Sequence, residues 1–495
     1  MQQIGRHLSA CGLVLSLSIA THAGGVAEHA LLVIDPLQPD SLHVGNHYWH
    51  TRSLTPNSVL YLDPDAASYP IWVSTVQPGL LGEMAQRSIR SHIDYVIVTP
   101  GNECYLNAPG IITDPCSPVT RFSLTGAISI AQLSSDVFGG LFHSTSLNRF
   151  YPPDAVPLWF DSRVAYNLGV PSTSSSAKKY FIGCMLGYTG PRGNTAAEVL
   201  AMIDRSAGAD GTHPTGTFVF MNNTADPARN VRQPNFGSVI ASLGGLGFAA
   251  TQLNGALPAG GTTCLGVMSG FATADIDGAA FTLSPGAFAD HLTSYAATFD
   301  IAYQTKVSAW IRKGASGAAG AVGEPCNYTA KFPSPRIHEF YAQGMSLGES
   351  YFRAISGTPF QSLFVGDPLT RAHTFIPSVT VSDAPTKAVA GSISLSPIAT
   401  ATAPGASIGT LTLMIDGVIV QSANSPTTFS LDTTTLNDGW HDVRILAYDT
   451  SSVRSVGRWT GGLEVANAGR AAFTEVTPAT GDLTTLFSID TSTLG

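Results

Sequence analysis

Between residues 29 and 372, short apolar runs alternate with stretches of helical spacing. The run ALLVID (residues 30–35) stops at Pro36, and SLHVGNHYWHTRSL follows with helical periodicity. SVLYLD reads as the next strand, and LLGEMAQRSIRSHI as a helix feeding the strand DYVIVTPGN. KKYFIGCML and GTFVFMNN are strand-like and bracket the helical TAAEVLAMIDRSA. Further on come the helix QTKVSAWIRKG, the small-residue strand GAAGAVGEP, the helix GESYFRAI and the strand FQSLFVGDP. Strand and helix in alternation predict parallel strands joined by crossover helices, hence an α/β layered domain with a mostly parallel sheet.

Near Ile376 the helical patterns stop. GTLTLMIDGVIV, TTFSLDTTTL and HDVRILAYD alternate apolar and polar positions, with DG turn signals between them. Residues 376–467 are therefore expected to form an all-β, Ig-like antiparallel sandwich that folds as its own unit, after an α/β domain over 24–375. The tail, 468–495, is polar with a few large apolar residues.

Composition narrows the function classes. Only 12% of the 495 residues are charged, the formal charge is −9, and Lys and Arg are thinly spread. No basic block exists to neutralise phosphates, so nucleic acid is excluded as an expected partner. The start, MQQIGRHLSACGLVLSLSIATHAGG, has Arg6 and His7, an apolar run and then small residues. It reads as a secretory signal over 1–23, and no membrane span is expected after its removal. The expected location is secreted or periplasmic. Cleavage would remove Cys11 and leave Cys104, Cys116, Cys184, Cys264 and Cys326. Cys104 and Cys116 flank the turn-rich CYLNAPGIITDPC and are the expected disulfide. Cys184 and Cys264 sit in apolar runs and are expected to be buried thiols.

Candidate chemistry gathers in a few places. PGAFADHLTSYAATFD holds Asp290, His291 and Ser294, the residue types of a serine-hydrolase triad. On a strand, Asp290 and His291 face opposite ways, as do His291 and Ser294; on a helix, His291 and Ser294 would meet. GMSLG (344–348) has the spacing of a nucleophile elbow, but Ser346 with Glu349 three residues on fits a capping box better. His43, His47 and His50 share one helix face at zinc-ligand spacing. ADIDG (274–278) offers Asp275 and Asp277 to calcium without the length of a full loop. No other cofactor is expected. EPCNYTAKFPSPR leaves the end of a strand, where α/β sheets collect ligands. Its Glu324, Cys326, Asn327, Tyr328, Lys331 and Arg336 are the expected binding surface.

Two resemblances add to this. The run WIRKGASGAAGAVGEPCNYTAKFPSPRIHEFYAQGMSLGESYFRAISGTPFQSLFVGDPL (310–369) carries EPCNY, KFPSPR and VGDPL in order. It resembles an uncharacterised family of exported bacterial proteins, and MIDG with LDTTTLNDGWHDVRILAYD resembles a bacterial Ig-like module. The order of elements is also similar to the caspase-like fold of the gingipain-type cysteine peptidases. That likeness implies a catalytic His at the end of TTCLGVMSGFATAD and a nucleophilic Cys at the end of FADHLTSYAATF. Here those places fall on Ser269, Gly270 or Phe271, and on Ser294. The resemblance implies a peptidase-like site without its Cys–His dyad. The expected function is a binding or assembly role toward an extracellular or periplasmic ligand or protein. The alternative is a secreted hydrolase using Ser294 or Cys326, with His92, His143, His213 or His338 as base.

Overall fold

The structure, a computed structural model, describes residues 26–153 and 159–468, and the backbone of a terminal hairpin, Ala471–Thr477 with Ser488–Leu494. The expected signal segment with Cys11, residues 154–158 and the rest of the tail lie outside the described residues.

Among the described residues, fourteen strands precede residue 370. They are β1 (Ala30–Ile34), β2 (Val59–Tyr61), β3 (Tyr95–Val98), β4 (Tyr105–Asn107), β5 (Arg121–Ser123), β6 (Tyr166–Asn167), β7 (Val170–Pro171), β8 (Ile182–Met185), β9 (Thr217–Asn222), β10 (Ala249–Asn254), β11 (Thr263–Gly270), β12 (Thr282–Leu292), β13 (Gly317–Ala321) and β14 (Ser362–Gly366). Ten of them form one sheet in the order β10-β9-β11-β12-β13-β14-β8-β3-β1-β2, while β4–β5 and β6–β7 are separate small pairs. Every neighbouring pair in the large sheet is parallel except β13–β14. The sheet is thus two parallel halves running in opposite directions, joined along Gly317↔Gly366 to Ala321↔Ser362. The mixed α/β class with a mostly parallel sheet is as expected from the alternating pattern.

Five strands of the large sheet, β1, β3, β8, β13 and β14, are buried at every position, the pattern of strands covered on both faces. The seam explains the small-residue run GAAGA. A Cβ on Gly317 would come within 2.8 Å of Leu347 and 2.9 Å of Phe364, so only glycine lets helix Leu347–Ala354 and β14 close on it.

From Ser378 to Val465 the regular elements are strands, apart from one 3-10 turn, Thr433–Thr435. Ile408–Ile415, Val418–Asn424, Gly439–Asp449 and Val456–Val465 make a four-stranded antiparallel sheet. Strand alternation splits its side chains. Leu411, Leu413, Ile415, Val443, Ile445 and Leu463 face a core shared with Phe429 and Leu431. Met414, Leu446, Tyr448 and Val456 pack instead with Val26, ahead of β1. That second face is an interface with the α/β domain. Arg444 Nη1 donates to Glu28 Oε1 at 2.7 Å and to the Ser53 carbonyl at 2.6 Å, and Arg458 donates to the same Glu28 oxygen at 3.1 Å. His29 bonds Asp94 through Nδ1 (3.0 Å) and the Tyr448 hydroxyl through Nε2 (2.9 Å). The strand-rich unit is clamped to the α/β domain through buried charge rather than hung on a linker.

Candidate functional site

The segment PGAFADHL is strand: β12 runs to Leu292. Alternation on the strand takes the triad residue types apart. Asp290 turns to Arg232, which donates from Nη1 to Oδ2 and from Nη2 to Oδ1, both at 2.9 Å. Burial pushes the Asp290 carboxyl up, and the guanidinium opposes that shift. His291 turns the other way, fully buried, with Phe271 stacked on it at 4.3 Å. The Trp310 indole N–H donates to His291 Nδ1 at 3.0 Å, and His291 Nε2 donates to the Thr305 carbonyl at 3.0 Å. Both ring nitrogens are spent. Desolvation holds the imidazole neutral, lowering its pKa to about 3. Asp290, His291 and Ser294 therefore form no triad: strand alternation sends Asp290 and His291 to opposite faces, and Ser294 lies past the end of β12.

The place where the gingipain likeness puts a catalytic His is closed. A Cβ on Gly270 would lie 1.8 Å from the Arg229 carbonyl, so no side chain fits there. Phe271 is buried against His291, and Ser269 donates its hydroxyl to the Ala256 carbonyl at 2.6 Å.

Ser294 lies just beyond β12, at the carboxyl end of the half-sheet β9–β13. It lines a cavity of ≈ 80 Å³ together with Ala228, Arg229, Leu292, Thr293, Glu324, Pro325, Asn327 and Phe332. The structure thus brings Ser294 beside three residues of EPCNY, two of them, Glu324 and Asn327, expected binding residues. It also adds two that sequence reasoning missed, Arg229 and Thr293. Arg229 Nε donates to Thr293 Oγ1 at 2.8 Å, and its Nη1 donates to both Asp226 oxygens at 3.2 and 3.1 Å. Thr293 in turn donates to Gln304 at 2.8 Å. The available signal was positional. NTADPARNVRQPN follows β9, and loops at the carboxyl ends of neighbouring parallel strands converge. Among the described residues the Ser294 hydroxyl makes no hydrogen bond, and no imidazole reaches it.

The rest of the expected binding loop is structural. Cys326 is bonded to Cys116, at a sequence separation of 210 residues. This corrects the expected Cys104–Cys116 pair. Cys104 is a buried thiol, pushed up by desolvation, whose Sγ donates to the Ala297 carbonyl at 3.7 Å. Lys331 is buried too. Its ammonium donates to Asp114 at 2.6 Å and to Gln361 at 3.0 Å, and lies 5.3 Å from the Tyr328 ring centre. Burial lowers the Lys331 pKa, and Asp114 opposes that. Arg336 donates to the Pro152 carbonyl at 3.0 Å and lies over Phe340. Lys331, Cys326 and Arg336 hold the loop in place; Glu324 and Asn327 face the cavity. Cys184 and Cys264 are buried thiols, as expected.

The candidate metal ligands read from the sequence do not gather into one cluster among the described residues. His43, His47 and His50 do lie on one helix, Pro39–Arg52, but their nitrogens do not gather to ligating distance; His47 bonds Asp204 at 2.6 Å instead. Asp114, Cys116 and Cys326 do converge within 4.8 Å, yet the sulfurs are bonded to each other and the carboxylate holds Lys331. For calcium, Asp275 accepts from the Gly278 amide, and Asp277 is paired with Arg312 at 2.8 Å. Ser346 is the capping-box residue its spacing implied, buried and bonded to the Tyr95 hydroxyl at 2.7 Å.

No family model matches the chain, and no curated protein matches it. Three solved structures give faint similarity. Fibronectin(III)-like modules of Clostridium thermocellum CbhA are 17% identical over 22% of this chain, with TM-score 0.17; the chain spans 54% of their length. The endo-beta-1,4-mannanase of Thermotoga petrophila is 10% identical over 76% of this chain and 66% of its own, with TM-score 0.15. The FMN-binding beta-glucuronidase of Facaelibacterium prausnitzii L2-6 is 13% identical over 55% and 45%, with TM-score 0.14. At these scores none of them carries an argument about fold or activity.

Proposed function

We propose that this chain is an exported binding or assembly protein. Its α/β domain is a caspase- or gingipain-like scaffold that has lost the catalytic dyad, with an Ig-like module docked against it. The EPCNY, KFPSPR and VGDPL run supports the family reading, and the signal-like start supports export. One observation carries the functional part: His291, the only imidazole near Ser294 in sequence, spends both nitrogens on Trp310 and Thr305. A serine hydroxyl without a general base is a poor nucleophile. Cys326, the other candidate nucleophile, is a disulfide half. The remaining histidines do not substitute. His338 is sealed among Phe218, Phe220 and Phe288, and His92 is buried with burial lowering its pKa to about 3. His143 pairs with Thr145, and His213 lies against Phe375.

The test is a screen of the purified protein on peptide, ester and glycoside libraries beside Ser294→Ala. Equal background rates are expected. A wild-type rate that the substitution removes by a thousandfold would replace this reading with the hydrolase one.

A further inference from the structure

We propose that the Ser294 cavity binds the ammonium and carboxylate groups of a free α-amino acid. This rests on the binding reading above and names its ligand class. The size comes first. About 10–15 Å³ of such volume holds one water. At ≈ 80 Å³ the cavity has room for roughly five to eight non-hydrogen atoms, the scale of an amino acid's main-chain portion. It is open on one side, which gives a side chain its way out.

The lining supplies one group for each charge. Arg229 uses Nε on Thr293 and Nη1 on Asp226, and its Nη2 makes no hydrogen bond among the described residues. Those bonds fix the guanidinium, and Arg229 lines the cavity, so its remaining N–H groups are the charged donors offered to a carboxylate. The Ser294 hydroxyl and the exposed Asn327 amide, also without hydrogen bonds among the described residues, add neutral donors. Glu324 supplies the opposite charge. Its Oε1 accepts from the Cys326 amide at 2.8 Å and the Tyr295 hydroxyl also hydrogen-bonds the carboxylate, whose remaining lone pairs are left for a cation. An ammonium suits that carboxylate. Leu292, Pro325, Phe332 and Ala228 form the apolar remainder of the lining.

The placement is held rigid by the fold. Cys326 and Asn327 sit at φ +60° and +58°, a left-handed pair that the Cys116 bridge and the Lys331–Asp114 ion pair hold in position. Glu324 and Asn327 are thereby presented without ordering on binding, which lowers the cost of capturing a small ligand.

The experiment is calorimetric titration of the full chain with glycine and alanine, then with glycinamide, methylamine, acetate and N-acetylglycine. Saturable binding of the zwitterions is expected, with affinity at least tenfold weaker for each analogue lacking one charge. Glu324→Gln and Ser294→Ala, checked for fold by circular dichroism, should each weaken glycine binding, the first by tenfold or more. Failure of every zwitterion to bind, or equal binding of methylamine or acetate, overturns the inference. Fluorophosphonate labelling of the same sample separates the two ideas: no adduct with no binding rejects the ligand class alone, while an adduct on Ser294 rejects the binding reading beneath it.

Discussion

His291 Nδ1 accepts a hydrogen bond from the Trp310 indole N–H at 3.0 Å. An indole nitrogen only donates, so the imidazole proton sits on Nε2, where Thr305 takes it. One bond thus fixes the tautomer and removes the basic lone pair. The expected result is that His291 does not titrate between pH 5 and 8, read from its imidazole resonances. Trp310→Phe should free Nδ1, and a titration in that range in the wild type would contradict the assignment.

Buried neutral histidines set an acid limit. Burial lowers His291, His338 and His92 to about 3 and His373 to about 4, against 6.5 unfolded. Below about pH 6.5 the unfolded chain takes up protons that the folded chain refuses. Stability is therefore complete above pH 6.5 and falls as pH drops toward 3–4, by up to ~1.4 kcal/mol per pH unit for each histidine. Urea unfolding between pH 7 and 4 checks this, and a flat profile would count against it.

His338 buries two ring nitrogens with no partner among the described residues. Replacing such a group by an apolar one of similar volume removes a desolvation cost of ~1–3 kcal/mol. His338→Leu is expected to raise stability by about 1–2 kcal/mol and to flatten the acid slope. Destabilisation in chemical denaturation would show that the ring has a role this packing does not reveal.

Glu28 and Arg444 tie the two domains. Burial alone would raise the Glu28 carboxyl, but Arg458 and Arg444 outweigh it and bring it down to about 2. Its contribution is present above the unfolded value of 4.5 and is lost as pH falls toward 2. Glu28→Gln leaves Arg444 buried with less compensation and should cost about 3 kcal/mol or more. In calorimetry the wild type is expected to unfold in one transition and the variant in two. A fragment of residues 376–467 should bind hydrophobic dye through the exposed Met414, Leu446 and Tyr448 face.

Non-reducing peptide mapping should recover a Cys116–Cys326 peptide and a free Cys104. Cys326→Ser is expected to lower stability by ~4–5 kcal/mol, on the entropy of closing so long a loop. A Cys104–Cys116 peptide would contradict the fold around the cavity.

The α/β order and the strand-rich segment were legible because local periodicity reports local structure. Ser346 was read correctly as a cap for the same reason. The site was not legible in that way. Asp290, His291 and Ser294 are neighbours in sequence, yet a two-residue period sends the first two to Arg232 and Trp310, and the end of β12 leaves Ser294 at the cavity. Cys116 chose a partner 210 residues away over one twelve away, because sheet order brings loop 114–117 to the end of β13. Arg229 went unnoticed because nothing in NTADPARNVRQPN marks chemistry until the strands beside it are placed.

The central claim is that Ser294 has no general base. Intact-mass and peptide mapping after incubation with a fluorophosphonate tests it most directly. The account predicts an unmodified chain at concentrations that fully label a serine hydrolase run in parallel. A single adduct mapped to Ser294, and lost in Ser294→Ala, would contradict it.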